Sequence, residues 1–282
     1  MPQAPIWELD FYSRPVLDDQ GKKIWELLLC DREGTFQLAR RCPPDQVNSA
    51  WLTQALQEVI QSAGRPSGIR FFRQPMANMI NRACAELQLT TRPSRRTLAL
   101  IRWLEQRWQA VYPEEPGFQP LAAPPPQPPP AAPQPLPDAL RGQRWAFVTL
   151  PLLDLRGIEP GMADFGDGLP WPQVQVNPAE NPTVPGVAVY TQRAAALAAW
   201  MSGLELASFT LETGPPARLI LETGLDDRWV FAPLGNLSLA AAGRDFDASK
   251  RVVKGLHFLA IQTAPDVETC AGFWLLQEIP LP

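Results

Sequence analysis

The sequence predicts an α+β protein of two domains, and three observations carry that prediction. The first half reads as a run of strands that gives way to helices. A proline-rich stretch then interrupts the chain. The second half returns to strands, with few helical patterns among them. With 282 residues, 45% of them hydrophobic, each half can build its own core. The expected division is residues 1–119, a linker over 120–140, and residues 141–282.

Each element follows from a local pattern. WELDFYSRPV and KKIWELLLCD are β-prone runs joined by the turn LDDQG, and TFQLARRCP after DREG adds a third strand. In NSAWLTQALQEVIQSAG, Leu52, Ala55, Leu56, Val59, Ile60 and Ala63 share one helical face, and Gly64 stops the helix. GIRFFRQ is a short strand. Pro75 suits the first turn of a second helix, whose inner face is Met76, Met79, Ile80, Ala83, Cys84 and Leu87. LQLTTRP is extended, because the residue before a proline avoids the helical region. Ser94 is the expected cap of a last helix through Tyr112, with Leu98, Ile101, Leu104, Trp108 and Val111 facing inward. The resulting order, β-β-β-α-β-α-β-α, resembles the ribonuclease H-like arrangement of a meander followed by α/β crossovers.

PLAAPPPQPPPAAPQPLP (120–137) holds ten prolines in eighteen residues. Proline lacks the amide donor and fixes φ, so a semi-rigid polyproline spacer is expected. Beyond it, RWAFVTLPL is a strand, residues 156–185 are a Gly, Pro and Asp-rich loop, and VPGVAVYTQ is a strand. RAAALAAWMSG is a helix closed by Gly203. ELASFTLETG, ARLILETG and DRWVFAPL are successive strands, and DASKRVVKG is a helix end stopped at Gly255. LHFLAIQ and AGFWLLQEIP finish a mixed sheet.

The sequence disfavours most chemistry. Cys30, Cys42, Cys84 and Cys270 form no CxxC pair, and His257 is the only histidine, so a zinc set is not expected. A triad would need His257, yet no GxSxG elbow accompanies it, and no GxxxxGK[ST] or GxGxxG occurs. Asp18-Asp19 and Asp226-Asp227 fall in predicted turns. Ribonuclease H-like nucleases hold two metals with convergent carboxylates. Asp10 stands where the first ligand would, but the first helix offers only Glu58, and the fourth strand ends in Arg73 and Gln74. Asp10 is therefore expected to serve a local salt bridge or a turn, and the protein is expected to be non-catalytic, without metal or cofactor.

Charge points to an anionic partner. The net charge is −4, yet residues 36–112 hold eleven arginines, no lysine and four acids. Guanidinium forks match phosphates and stack on bases. Arg70 and Arg73 bracket Phe71-Phe72; Arg82 lies on the second helix; Arg95, Arg96, Arg102 and Arg107 lie on the third, opposite its apolar stripe and so in solvent. No apolar run approaches the ~18 to 20 residues of a membrane span. The amino-terminal stretch has no basic start, signal-type apolar core or import leader, which predicts an unprocessed cytoplasmic protein of bacterial type.

WELDFYSRPVLDDQGKKIWELLLCD, IRFFRQPM, RWAFVTLP, LAAWMSGLEL, GLHFLAIQ and GFWLL together resemble the Tab family of chloroplast and cyanobacterial proteins, over nearly the whole chain. The resemblance implies an RNA-binding factor that promotes translation of photosystem reaction-centre subunits by acting at 5′ untranslated regions. It also implies a role in RNA binding for a terminal tripeptide, here Trp274, Leu275 and Leu276. In a strand, Gly272, Trp274 and Leu276 share one face, and Phe273 and Leu275 the other. One face must fill core, while the other could display Trp274 to a base. An alternative of a different class is a protein-binding assembly factor that meets translation machinery or photosystem subunits through the apolar terminus and the linker. A metal-dependent nuclease is the remaining alternative.

Overall fold

A computed structural model of the chain describes residues 5–120, 131–157, 174–267 and 269–281. Of these, residues 5–120 together with Leu281 fall in one compact unit, and the described residues from 131 to 280 in the other. The polyproline expectation for 121–130 and the loop expectation for 158–173 lie outside the described residues.

The N-terminal unit is a five-stranded sheet with the order β3-β2-β1-β4-β5. Its strands are β1 (Ile6–Leu17), β2 (Lys23–Asp31), β3 (Gln37–Cys42), β4 (Gly68–Phe71) and β5 (Thr91–Pro93). The first three pair antiparallel, whereas β4 runs parallel to β1 and β5 parallel to β4. This is the ribonuclease H-like order. Three helices complete it: α1 (Ser49–Ala63), α2 (Ala77–Glu86) and α3 (Leu98–Ala110).

Strand alternation decides what each face of the sheet does. Trp7, Leu9, Phe11, Leu27 and Leu29 point to one side and pack with Leu52, Leu56 and Val59 of α1 and Ile80, Ala83 and Cys84 of α2. Asn48 caps α1 by accepting the Trp51 amide at 2.9 Å. The intervening residues Glu8, Asp10, Leu28 and Cys30 are also buried, on the α3 side.

The start of α3 differs from expectation. It begins at Leu98 rather than just after Ser94, and its N-cap, Thr97, makes no side-chain cap bond. The donor is satisfied from the sheet: Glu8 Oε2 accepts the Leu100 amide at 2.9 Å. Burial pushes the Glu8 carboxyl up to about 8, against the pull of the Leu100 amide and of Arg70 and Arg32.

The C-terminal unit has two four-stranded mixed sheets, β6-β11-β10-β9 and β13-β12-β8-β7. Their strands are β6 (Gln134–Pro135), β7 (Arg144–Pro151), β8 (Thr183–Tyr190), β9 (Leu206–Glu212), β10 (Arg218–Thr223), β11 (Asp227–Pro233), β12 (Leu256–Gln262) and β13 (Gly272–Gln277). Gln134–Pro135, expected as spacer, instead pair with Trp229 and Val230. The helices are α4 (Leu152–Arg156), α5 (Ala194–Ser202) and α6 (Leu237–Val252). Leu197, Ala198, Met201 and Phe246 from α5 and α6 fill one core with residues of both sheets.

Two glycines of the β13-β12-β8-β7 sheet, one on each face, admit close contacts. A Cβ on Gly186 would enter the ring of Phe258, and one on Gly272 would enter the ring of Trp274 and lie 2.9 Å from Ala198 Cβ. Gly272→Ala is therefore expected to cost about 1–3 kcal/mol through overpacking. A urea midpoint equal to that of the unmodified chain would show that the indole can move aside.

Candidate nucleic-acid interface

The parallel register builds one rim. Leu9 stands beside Phe71 across β1 and β4, and Phe71 beside Pro93 across β4 and β5. Phe72-Arg73 and Ser94-Arg95-Arg96 therefore follow the carboxyl ends of two neighbouring parallel strands, next to Asp10. Ligands of open α/β sheets bind at such ends. The rim is tied together by the Ser94 amide, which donates to Phe71 O at 2.9 Å, and by Ser94 Oγ, which accepts the Arg96 amide at 3.0 Å.

Asp10, fully buried, lies inside this rim with both oxygens engaged. Arg14 Nη1 donates to Oδ2 at 2.8 Å and Arg73 Nε to Oδ1 at 2.8 Å. Burial would raise the Asp10 carboxyl; the Arg14 and Arg73 guanidiniums overcome it and hold the group below its usual range. Arg14 also reaches Glu26, with Nε 3.1 Å from Oε2. Its own pKa is raised, since Asp10, Tyr112 and Glu26 outweigh its burial. Glu26 further accepts from Arg107 and, at 2.7 Å, from the Tyr112 hydroxyl. The result is a continuous chain, Arg73–Asp10–Arg14–Glu26–Arg107. Within this chain three guanidiniums face two carboxylates.

Aromatic rings flank both ends of this chain. The Arg73 guanidinium carbon lies 4.2 Å from the Tyr12 ring centroid and 4.9 Å from that of Phe72. That of Arg107 lies 5.7 Å from Trp103 and 5.2 Å from Tyr112. The side chains of Arg73 and Arg107 are each 14% exposed, so the chain touches solvent at its ends and is buried at its middle.

A divalent ion does not fit this arrangement. The position where nuclease carboxylates would converge is filled by guanidinium groups, and among the described residues no three His, Cys, Asp or Glu side chains are placed to hold a metal.

The predicted arginines are not brought together on one open face. Arg73, Arg95 and Arg96 share the rim, the last two half-buried. Arg70 and Arg102, expected toward solvent in the case of Arg102, are buried. The correction for Arg102 has a clear cause: Leu98 to Arg102 is buried on every side, so the helical wheel had no solvent face to offer there. Burial lowers the Arg102 pKa, opposed by Glu105 and Glu8. Arg82 projects from α2 with its side chain 76% exposed, 3.9 Å from Glu86. Trp108, expected inward, is 37% exposed.

The terminal tripeptide lies in the interior. Trp274 is 3% exposed and packs with Leu276 in the core under α5; Leu275 is buried on the opposite face, where its neighbour Phe273 stacks on Phe258 at 5.2 Å. Both faces of β13 are covered, so Trp274 is not displayed to a base as one reading of the strand allowed.

His257 is likewise interior and accounts for a gap in the hydrogen bonding. β9 is the last strand of its sheet. His257 Nε2 accepts the Phe209 amide at 2.8 Å, and Lys250 Nζ donates to Phe209 O at 2.6 Å. His257 Nδ1 carries the proton and donates to Gly255 O at 2.7 Å. Burial and the Lys250 charge push the imidazole down to about 3. This geometry is that of a neutral structural acceptor.

Sequence reasoning missed Arg14, Glu26 and Tyr112. The first two meet in the β1–β2 hairpin, where Ser13 stands opposite Trp25 and Tyr12 opposite Glu26, but an irregularity between Ser13 and Leu17 shifts the register set at the turn, so the turn alone does not give the pair away. Tyr112 depends on how α3 crosses the sheet, which no local pattern encodes.

Fold and site together define an α+β protein with a ribonuclease H-like sheet order and a buried chain of arginine–carboxylate pairs running from its first two strands. Residues 6–107 match the family described as RNA-binding protein Tab2/Atab2 N terminal, and residues 123–277 match RNA-binding protein Tab2/Atab2, C-terminal domain. The chain belongs to the Tab2/Atab2 family. It is 42% identical to the chloroplastic protein TAB2 homolog of Zea mays, over 98% of this chain and 72% of that one. It is 39% identical to the chloroplastic TAB2 homolog of Arabidopsis thaliana, over 98% and 75%. Among solved structures, the catalytic core domain of HTLV-2 integrase in complex with magnesium aligns over 40% of this chain and 77% of its own, at 16% identity and a TM-score of 0.28. The fold assignment rests on the strand order, not on that alignment. The relatives also correct one expectation: both are chloroplastic proteins, so a plain cytoplasmic location is not retained. Among the described residues, no helix is long and apolar enough to cross a membrane.

Proposed function

We propose that this protein binds single-stranded RNA without cleaving it, at the rim formed by Arg73, Arg95 and Arg96, and thereby promotes translation of photosystem reaction-centre messages. Membership of a family described as RNA-binding carries the reading. The geometry supports it physically. Arg73 is held rigid between two rings and Asp10, so little side-chain entropy remains to be lost on meeting a phosphate. Guanidiniums in the metal position favour holding a phosphodiester, and they supply no activated water to cut it. Trp274, Leu275 and Leu276 support binding by maintaining the fold. The protein-docking alternative loses the apolar terminus as a surface, because Phe273 to Leu276 are buried.

The test is binding to 5′ leader RNA of reaction-centre messages across a salt series. Affinity should fall steeply with salt. The Arg95→Ala, Arg96→Ala double variant should bind more weakly, and its salt slope should shrink by roughly 0.7 for each phosphate no longer neutralised. An unchanged slope would remove these arginines from the interface. RNA incubated with the protein and magnesium or manganese should stay full length; cleavage abolished by Asp10→Asn would overturn the non-catalytic reading.

A further inference from the structure

Trp108 is a large apolar side chain left open on an otherwise polar stretch of α3. Its neighbours Glu105, Gln106 and Gln109 are exposed. The position is not loose. Tyr112 lies perpendicular to the indole, at 87° and 5.9 Å between centroids. Tyr112 is itself 2% exposed, donates its hydroxyl to Glu26 and accepts from Arg107 Nε at 3.2 Å. The indole is thus backed by the same chain of ion pairs that leads to Arg73. Trp108 stands as an exposed ring on a rigid floor.

The surrounding charge decides what that ring can receive. Glu105 and Glu114 are exposed near it along the chain, and Arg107 is already committed to Glu26. A phosphate arriving there would meet carboxylates. The face of a neutral base would not be repelled, and every base can stack on an indole. We propose that Trp108 is a stacking platform for an unpaired base of bound RNA, at the opposite end of the ion-pair chain from the phosphate-holding Arg73. This rests on the RNA-binding reading above and adds to it: bases splayed from a single strand, not a duplex, are the ligand.

The full chain and its Trp108→Ala and Trp108→Phe variants are compared for binding to the same leader RNA, single-stranded and annealed to its complement, at low and high salt. Trp108→Ala should weaken single-strand binding about tenfold, by the same factor at both salt concentrations, because the number of neutralised phosphates is unchanged. Trp108→Phe should retain most of the affinity, duplex binding should be unaffected, and circular dichroism of Trp108→Ala should show the fold of the unmodified chain even though the lost Tyr112 contact lowers its urea midpoint somewhat. Equal single-strand affinity of Trp108→Ala and the unmodified chain overturns the platform alone, as does a changed salt slope. Failure of the unmodified chain to bind either RNA overturns the RNA-binding reading and the platform with it.

Discussion

Replacement of Arg14 by methionine is expected to remove about 3–5 kcal/mol from the stability of the N-terminal unit. Arg14 lies between two buried carboxylates, 2.8 Å from Asp10 and 3.1 Å from Glu26. Methionine fills the volume but leaves Asp10 with Arg73 alone and Glu26 with Arg107 and Tyr112. Each carboxylate then stays desolvated with part of its compensation gone. Since domains are stable by only ~5–15 kcal/mol, the variant should be partly unfolded under mild urea. Arg40→Met is the control. Arg40 pairs with Glu58 at a comparable 2.7 Å, but both side chains are well exposed, so water replaces the missing partner. Urea titrations of the two variants in the full chain separate the cases: similar midpoints would mean that burial of the Arg14 network has no energetic consequence.

The second large effect is a loss of stability in mild acid that originates in the C-terminal unit. An unfolded histidine titrates near 6.5, whereas His257 in the fold is held down to about 3. Between these values the unfolded chain binds a proton that the native chain refuses. The contribution of His257 is therefore complete above pH 6.5, declines as pH falls, and is gone below about 3. The slope should approach ~1.4 kcal/mol per pH unit within the window. Protonation would place a second cation beside Lys250 and convert Nε2 from acceptor to donor, so the Phe209 amide would lose its partner. His257→Gln keeps an amide oxygen to accept from Phe209 and cannot titrate. As pH is lowered from 7 to 4, the urea midpoint should fall for the unmodified chain and change less for the variant. Parallel profiles would refute the assignment.

How much of this was legible in the sequence varies element by element. The three-stranded meander and α1 were readable because their alternation and helical spacing are clean. Trp7, Leu9 and Phe11 enter one core because the strand period is two, whereas the intervening Glu8 and Asp10 are buried by a helix that arrives about ninety residues later. Hydrophobic pattern cannot announce that second face, since its buried side chains are charged. The same limit hid Arg102, whose burial depends on packing all around the start of α3. The first turns of α6 were missed for another reason. LSLAAAGRDF offers no apolar stripe, and Gly243 reads as a breaker, although its lack of a Cβ is what lets Leu234 approach. In the candidate site, Asp10 was recognisable as a salt-bridge or turn residue rather than a metal ligand, and Arg73 as misplaced for metal binding; the turn alternative is not what the structure shows. Arg14 and Glu26 required the hairpin register to be followed through.

The double pairing of Asp10 makes its charge redundantly compensated. Substituting Arg73 by aspartate would still leave Arg14 on the remaining oxygen, and removing Arg14 would still leave Arg73. Either single step strips a neutralising partner from an ion shut away from water and weakens the domain. Only a change at both positions together would strip Asp10 of its guanidinium partners.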